Sequence, residues 1–192
     1  MRYAELMGEK RFFGLLLRVD EDLAVQARAA GCRVCGQAVH VGNFRRKARG
    51  VPHGLEQDYA WRLSFCCAGR ECRKRLTPSS MRFLGRKVYL GAVVVLVSAL
   101  RCGATPVRMG RLTELLGVSR RTVNRWRQWW IEIFPQTRCW AAGSALFATP
   151  VPTGQLPQSL LERFAGAPER ALHGLLHFVL PVTDGDHAVH AM

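Results

Sequence analysis

Two residues separate Cys32 from Cys35, four separate Cys67 from Cys72, and Cys66 directly precedes Cys67. Thiols at such spacings aim two sulfurs at one tetrahedral ion across a tight turn, and Gly36 supplies backbone freedom just after the first pair. Two such knuckles, about thirty residues apart, complete a shell of four thiolates. The expected ligands are therefore Cys32, Cys35, Cys67 and Cys72, and the expected ion is Zn2+, against the plainer reading of ordinary buried cysteines. Cys66 is the alternative to Cys67 as third ligand. Neighbouring extended residues point to opposite faces, so only one of the two reaches the ion, and the shorter loop to Cys72 favours Cys67. His40 and His53 lie between the knuckles, but four sulfurs already fill the shell. Cys102 and Cys139 stand alone and read as core or incidental positions.

A second set of chemically capable residues lies at 111–130. Leu112, Leu115 and Leu116 share one face of a short helix, Gly117 permits a sharp turn, and Ser119 suits the cap of a second helix. In that second helix Val123, Trp126 and Trp130 recur at helical spacing and are expected to face a core. Arg121, Asn124, Arg125 and Gln128 fall on the opposite side, with Ser119 and Arg120 at its start. Such residues read base edges and grip phosphates in a DNA major groove. A merely solvated face would normally mix in acids, and this helix has none before Glu132.

These residues need elements to hold them. A helix over 20–30, capped by Asp20 and ended by Gly31, would deliver the chain to Cys32. Short β-like runs at 38–41 and 59–65, with a glycine-rich basic loop around 43–54, look like the fingers of a zinc ribbon. A sheet this small cannot fold on apolar burial alone, so the metal would supply the missing stability. Arg73, Lys74 and Arg75 follow the second knuckle and are expected on phosphates, with Arg70 beside them. The apolar run 88–100 spans thirteen residues, a length that favours a buried helix at the centre of a helical domain or in a dimer contact. It falls short of the ~20 residues a membrane-crossing helix needs. Residues 144–158 read as a linker or irregular arm, and 160–164 and 172–180 as short helices. His173 and His177, followed by Asp184, Asp186, His187 and His190, suggest a polar helix face and tail more simply than a second metal site.

Charge narrows the partners. The net charge is +14, and residues 62–138 hold sixteen Lys or Arg against three acids (Glu71, Glu114, Glu132). Such a field attracts a polyanion and predicts a steep loss of affinity with salt. Seven cysteines, an odd number, without a secretory pattern ahead of them, point to a reducing compartment, with the nucleoid of the cytoplasm as the expected location and no membrane partner. The expected fold is mainly α with a small β zinc ribbon. Its expected divisions are an N-terminal helical arm at 1–31, a ribbon at 32–76, a helix-turn-helix (homeodomain-like) domain at 77–138 and a C-terminal extension at 139–192.

The order of these parts, CRVCG, then FCCAGRECRKR, then an aliphatic helix and LTELLGVSRRTVNRW, resembles the DNA-binding front portion of insertion-sequence transposases over roughly residues 30–135. That resemblance implies zinc at Cys32, Cys35, Cys67 and Cys72, DNA contact over 119–128, and recognition of terminal repeats. In such transposases a ribonuclease-H-like domain with three metal-binding carboxylates cuts the strands. Here fifty-seven residues follow Pro135, with four acids, Glu162, Glu169, Asp184 and Asp186. That is too little chain to mount a catalytic triad rigidly. The expectation is a sequence-specific double-stranded DNA-binding protein, non-catalytic alone, acting as a homodimer or beside a separate catalytic transposase subunit. A divalent-metal-dependent transposase or nuclease component and an RNA-binding zinc-ribbon protein are the alternatives.

Overall fold

A computed structural model describes residues 10–46, 55, 57–84, 91–98 and 119–183. The expected first helix of the helix-turn-helix, His53, Cys102, and the group Asp184, Asp186, His187 and His190 lie outside the described residues.

Helix α1 runs Lys10–Ala30 and buries Phe12, Phe13, Leu16, Asp20 and Ala24, a stripe that repeats every turn. Gly31 ends it at φ +73°, its N–H on the Arg28 carbonyl at 3.2 Å. The expected start at Asp20 is corrected: Asp20 sits in the middle of the helix and caps nothing. Its carboxylate accepts from Ser80 Oγ (2.6 Å), the Met81 N–H (2.6 Å) and Arg82 Nε (2.8 Å). A buried carboxylate is tolerated within a helix when it is paired and hydrogen-bonded in this way.

Strands β1 (Val39–Val41), β4 (Phe65–Cys67) and β5 (Arg75–Leu76) form an antiparallel sheet, with Val39 opposite Cys67 and Cys66 opposite both His40 and Arg75. Strands β2 (Phe44–Arg45) and β3 (Trp61–Arg62) form a separate two-stranded ribbon, with Phe44 opposite Arg62 and Arg45 opposite Trp61. The expected single run at 59–65 is therefore split between two sheets. Tyr59 belongs to a 3-10 turn, Gln57–Ala60. The chain changes sheets at Ser64, whose N–H donates to Asn43 Oδ1 (2.9 Å) and whose carbonyl accepts from Gly42 N–H (2.8 Å).

The rest is helical. α2 (Gly91–Ser98) is apolar on every side, and Ala92, Val93, Val94, Val95 and Val97 are all buried. It packs against α3 (Arg120–Gln128) and α6 (Pro168–Phe178), so this run occupies the centre of the helical body. After α3 the chain passes through a π turn, Trp129–Ile133, into α4 (Arg138–Ser144). Trp129, Trp130, Phe134 and Trp140 meet there mostly edge-to-face, with centroids 4.9 to 5.5 Å apart. Residues after 139 share this core: Leu160 and Leu161 of the one-turn α5 (Gln158–Leu161), and Leu172, Leu175 and Leu176 of α6, belong to the same apolar cluster as Phe13 and Trp130. A second, smaller cluster joins Ala24 of α1 to Cys32, Val39, Phe65, Cys67 and Leu76. The fold is mainly helical, with a small antiparallel sheet and a cysteine cluster at its side.

Candidate metal centre and basic surfaces

Each cysteine pair is held by a tight turn. In the first, Cys32 N–H donates to the Gln37 carbonyl and Gly36 N–H to the Cys32 carbonyl, both at 2.8 Å. In the second, Cys67 N–H donates to the Lys74 carbonyl (2.9 Å), while the N–H groups of Cys72 and Arg73 share the Gly69 carbonyl (3.2 Å each). The residue after each pair is left-handed, Gly36 at φ +70° and Arg73 at φ +45°. The two knuckles thus share one backbone device on unlike sequences.

The turns bring the sulfurs of Cys32, Cys35, Cys67 and Cys72 within 4.8 Å of one another. Cys35 Sγ lies 3.4 Å from Cys67 Sγ, and Cys32 Sγ lies 3.7 Å from Cys72 Sγ. Sulfurs about 2.3 Å from a tetrahedral ion would form edges of about 3.8 Å. A covalent bridge would instead need about 2.05 Å, and these cysteines are free thiols. The donor set and its spacing suit a thiophilic divalent ion. Cys66, the alternative ligand, lies outside the cluster: alternation along β4 turns Cys67 inward, at 1% exposure, and sets Cys66 in a row with His40 and Arg75.

The thiols are unlike one another. Backbone N–H groups of Val34 and Cys35 hold Cys32 down at about 6, whereas burial pushes Cys67 up to about 12, against a hydrogen bond from Gly69 N–H to its sulfur (3.3 Å). A cation at the centre of the cluster would replace the protons that burial retains.

The α3 surface is arranged as its spacing implied. Ser119 Oγ accepts from Thr122 N–H at 3.3 Å and caps the helix. Val123, Trp126 and Trp130 are buried, and Arg120, Arg121, Asn124, Arg125 and Gln128 are exposed. Of the basic run after the second knuckle, Arg73 and Lys74 are exposed. Arg75 is exposed too, yet its Nη1 donates to the Gly42 carbonyl (2.9 Å) and to Ser64 Oγ (3.1 Å), and its guanidinium lies 5.4 Å from the Phe44 ring centroid. His173 is half-buried, with its pKa lowered by burial and by His177; among the described residues neither histidine joins a ligand cluster.

Two features carried no sequence signal because their partners are remote. Arg82, fully buried, bridges Asp20 of α1 to the carbonyls of Tyr59 (2.6 Å) and Trp61 (2.9 Å). Arg45 and Trp61 become neighbours only through the pairing of β2 with β3.

No helix among the described residues is long and apolar enough to cross a membrane. No protein-family model, curated protein or solved structure matches this chain.

Proposed function

We propose that this chain is a zinc-stabilised, sequence-specific double-stranded DNA-binding protein, related to the recognition portion of insertion-sequence transposases and acting without cleaving DNA itself. The reading is carried by the exposed face of α3, where Arg120, Arg121, Asn124, Arg125 and Gln128 stand together without an acid while Val123 and Trp126 are locked in the core. A helix held on its apolar side and cationic on the other fits a major groove, where Arg and Asn can bond base edges. In this reading α3 is the recognition helix of a helix-turn-helix. The cysteine module is the zinc ribbon: Cys32, Cys35, Cys67 and Cys72 hold Zn2+, which fixes the turns that carry Arg70, Arg73 and Lys74 toward phosphates, while Arg75 is held on Gly42 and Ser64. The zinc is structural, since four thiolates leave no open position for a reacting water. Strand cleavage would fall to a separate catalytic subunit, and a nucleoid location follows from the partner.

Selection of bound sequences from random duplex, followed by titration at several salt concentrations, tests this. Arg121→Ala and Arg125→Ala are each expected to cost about 1–3 kcal/mol and to relax sequence preference where the contact is to a base. Equal losses on every sequence would identify phosphate contacts instead. Indifference to duplex at low ionic strength, or tighter binding of a structured RNA at equal salt, would refute the proposal.

A further inference from the structure

The β2–β3 ribbon has one face fixed to the protein and one face uncovered among the described residues. On the fixed face Phe44 lies between two guanidinium groups, Arg46 at 5.6 Å and Arg75 at 5.4 Å from its centroid. Its cross-strand partner Arg62 is buried and donates to the carbonyls of Pro78 and Thr183. On the opposite face stand Arg45 and Trp61, directly paired and both exposed. Arg45 has no hydrogen-bond or ion-pair partner among the described residues, and there no ring or guanidinium covers the Trp61 indole.

Trp61 is 38% exposed, while the other four tryptophans, Trp126, Trp129, Trp130 and Trp140, are all buried. Leaving an indole face to water forgoes the burial that gives tryptophan its packing value. The backbone beneath it is nevertheless rigidly held. Arg82 Nη2 donates to the Trp61 carbonyl, Arg82 Nη1 to the Tyr59 carbonyl, and Arg46 N–H to the Ala60 carbonyl (2.8 Å). An exposed aromatic on a fixed strand, beside an exposed guanidinium, combines the two parts of a platform for an unstacked nucleotide: a π face for the base and a cation for its phosphate.

We infer that Trp61 and Arg45 form a second nucleic-acid contact that takes an unpaired base next to the duplex, so the chain binds a duplex with a single-stranded end more tightly than a blunt one. The inference rests on the DNA-binding reading and adds the substrate's form to it. Bases inside a duplex are stacked on both faces and offer none to Trp61, so the contribution is largest where a base is unpaired.

The test uses the full zinc-loaded chain with labelled blunt duplex and the same duplex carrying overhangs of about four nucleotides, the lower end of what a stacking groove tracks. The wild type is expected to favour the overhang probe about tenfold. Trp61→Ala should erase that preference and leave blunt-duplex binding within about twofold, Trp61→Phe should keep most of it, and Arg45→Ala should weaken it. Because the other tryptophans are buried, acrylamide quenching reports on Trp61, and overhang DNA should protect it where blunt duplex does not. Loss of binding to both probes alike in Trp61→Phe, or full preference retained in Trp61→Ala, overturns the inference. Blunt duplex bound with no gain from an overhang refutes the platform and spares the DNA reading. Failure to bind either probe refutes both.

Discussion

At the scale of single residues, Arg73 stands out as the non-glycine residue with a positive φ among the described residues. It occupies the left-handed position that Gly36 fills in the first knuckle, and a side chain there costs roughly 1–2 kcal/mol. Glycine would remove that strain but give back about 0.5–1 kcal/mol in unfolded-state entropy. Arg73→Gly is therefore expected to leave the melting temperature unchanged or slightly raised. If Arg73 grips a phosphate, the same variant weakens binding about uniformly across sequences and lowers the salt slope by about one. Melting and salt titration on one preparation check both halves. A drop of many degrees would show that the arginine side chain, not the turn, holds the knuckle. The choice between Cys66 and Cys67 belongs to this scale and was legible in part: strand alternation admits only one of two adjacent side chains, the shorter loop to Cys72 favours Cys67, and the fold brings Cys67 into the cluster. Arg75 was less so: its spacing says basic and exposed, and only the fold sets its guanidinium on Gly42, Ser64 and Phe44.

Among elements, α1 ties the molecule together, because it contributes Phe12, Phe13 and Leu16 to the large core, Ala24 to the small one, and Asp20 to the polar link between them. Asp20→Ala strands the Arg82 guanidinium, which is 0% exposed, without its counter-charge, and breaking such a pair costs about 3–5 kcal/mol. Adding Arg82→Met should cost much less than the sum of the two single changes, since no buried charge then remains. It should not fully restore the protein, because the carbonyls of Tyr59 and Trp61 lose their donor. Denaturant melts of the four proteins in that cycle check this, and additive losses would mean the pair does not couple. Here lies the limit of what the sequence discloses. The capped helix with Val123 and Trp126 inward follows from spacing within one element, as do the cysteine turns. Asp20 misleads because Ser80, its first partner, is sixty residues away, and a local rule can only offer it a cap. The run at 59–65 misleads similarly, since Asn43 decides where the chain changes sheets.

On the scale of the whole molecule, the small core depends on the cysteine cluster and the large core does not. Two of the six buried members of the lesser cluster, Cys32 and Cys67, belong to the candidate metal cluster, so if that cluster holds an ion, removing it should melt β1, β4 and β5 while the helices around Trp130 persist. On the DNA-binding proposal, a chelator under reducing conditions is expected to weaken duplex binding through loss of the phosphate contacts beside the second knuckle, while most of the far-ultraviolet helix signal survives. The pH dependence follows from the unlike thiols. With an ion bound, the four sulfurs would be thiolates, whereas in the ion-free chain burial pushes Cys67 up to about 12 and backbone N–H groups lower Cys32 to about 6. At neutral pH, binding therefore releases fewer protons than there are sulfurs, because Cys32 is already ionised. As pH falls through about 6, Cys32 also has a proton to give up, so the plot of log affinity against pH steepens by about one, and the stability lent by the metal is lost toward acid. Competition with a chelator of known affinity from roughly pH 8 to 5 measures that slope. A constant slope through the window would show that Cys32 holds its proton in the metal-free chain, and a metal affinity indifferent to pH would remove thiolate ligation altogether.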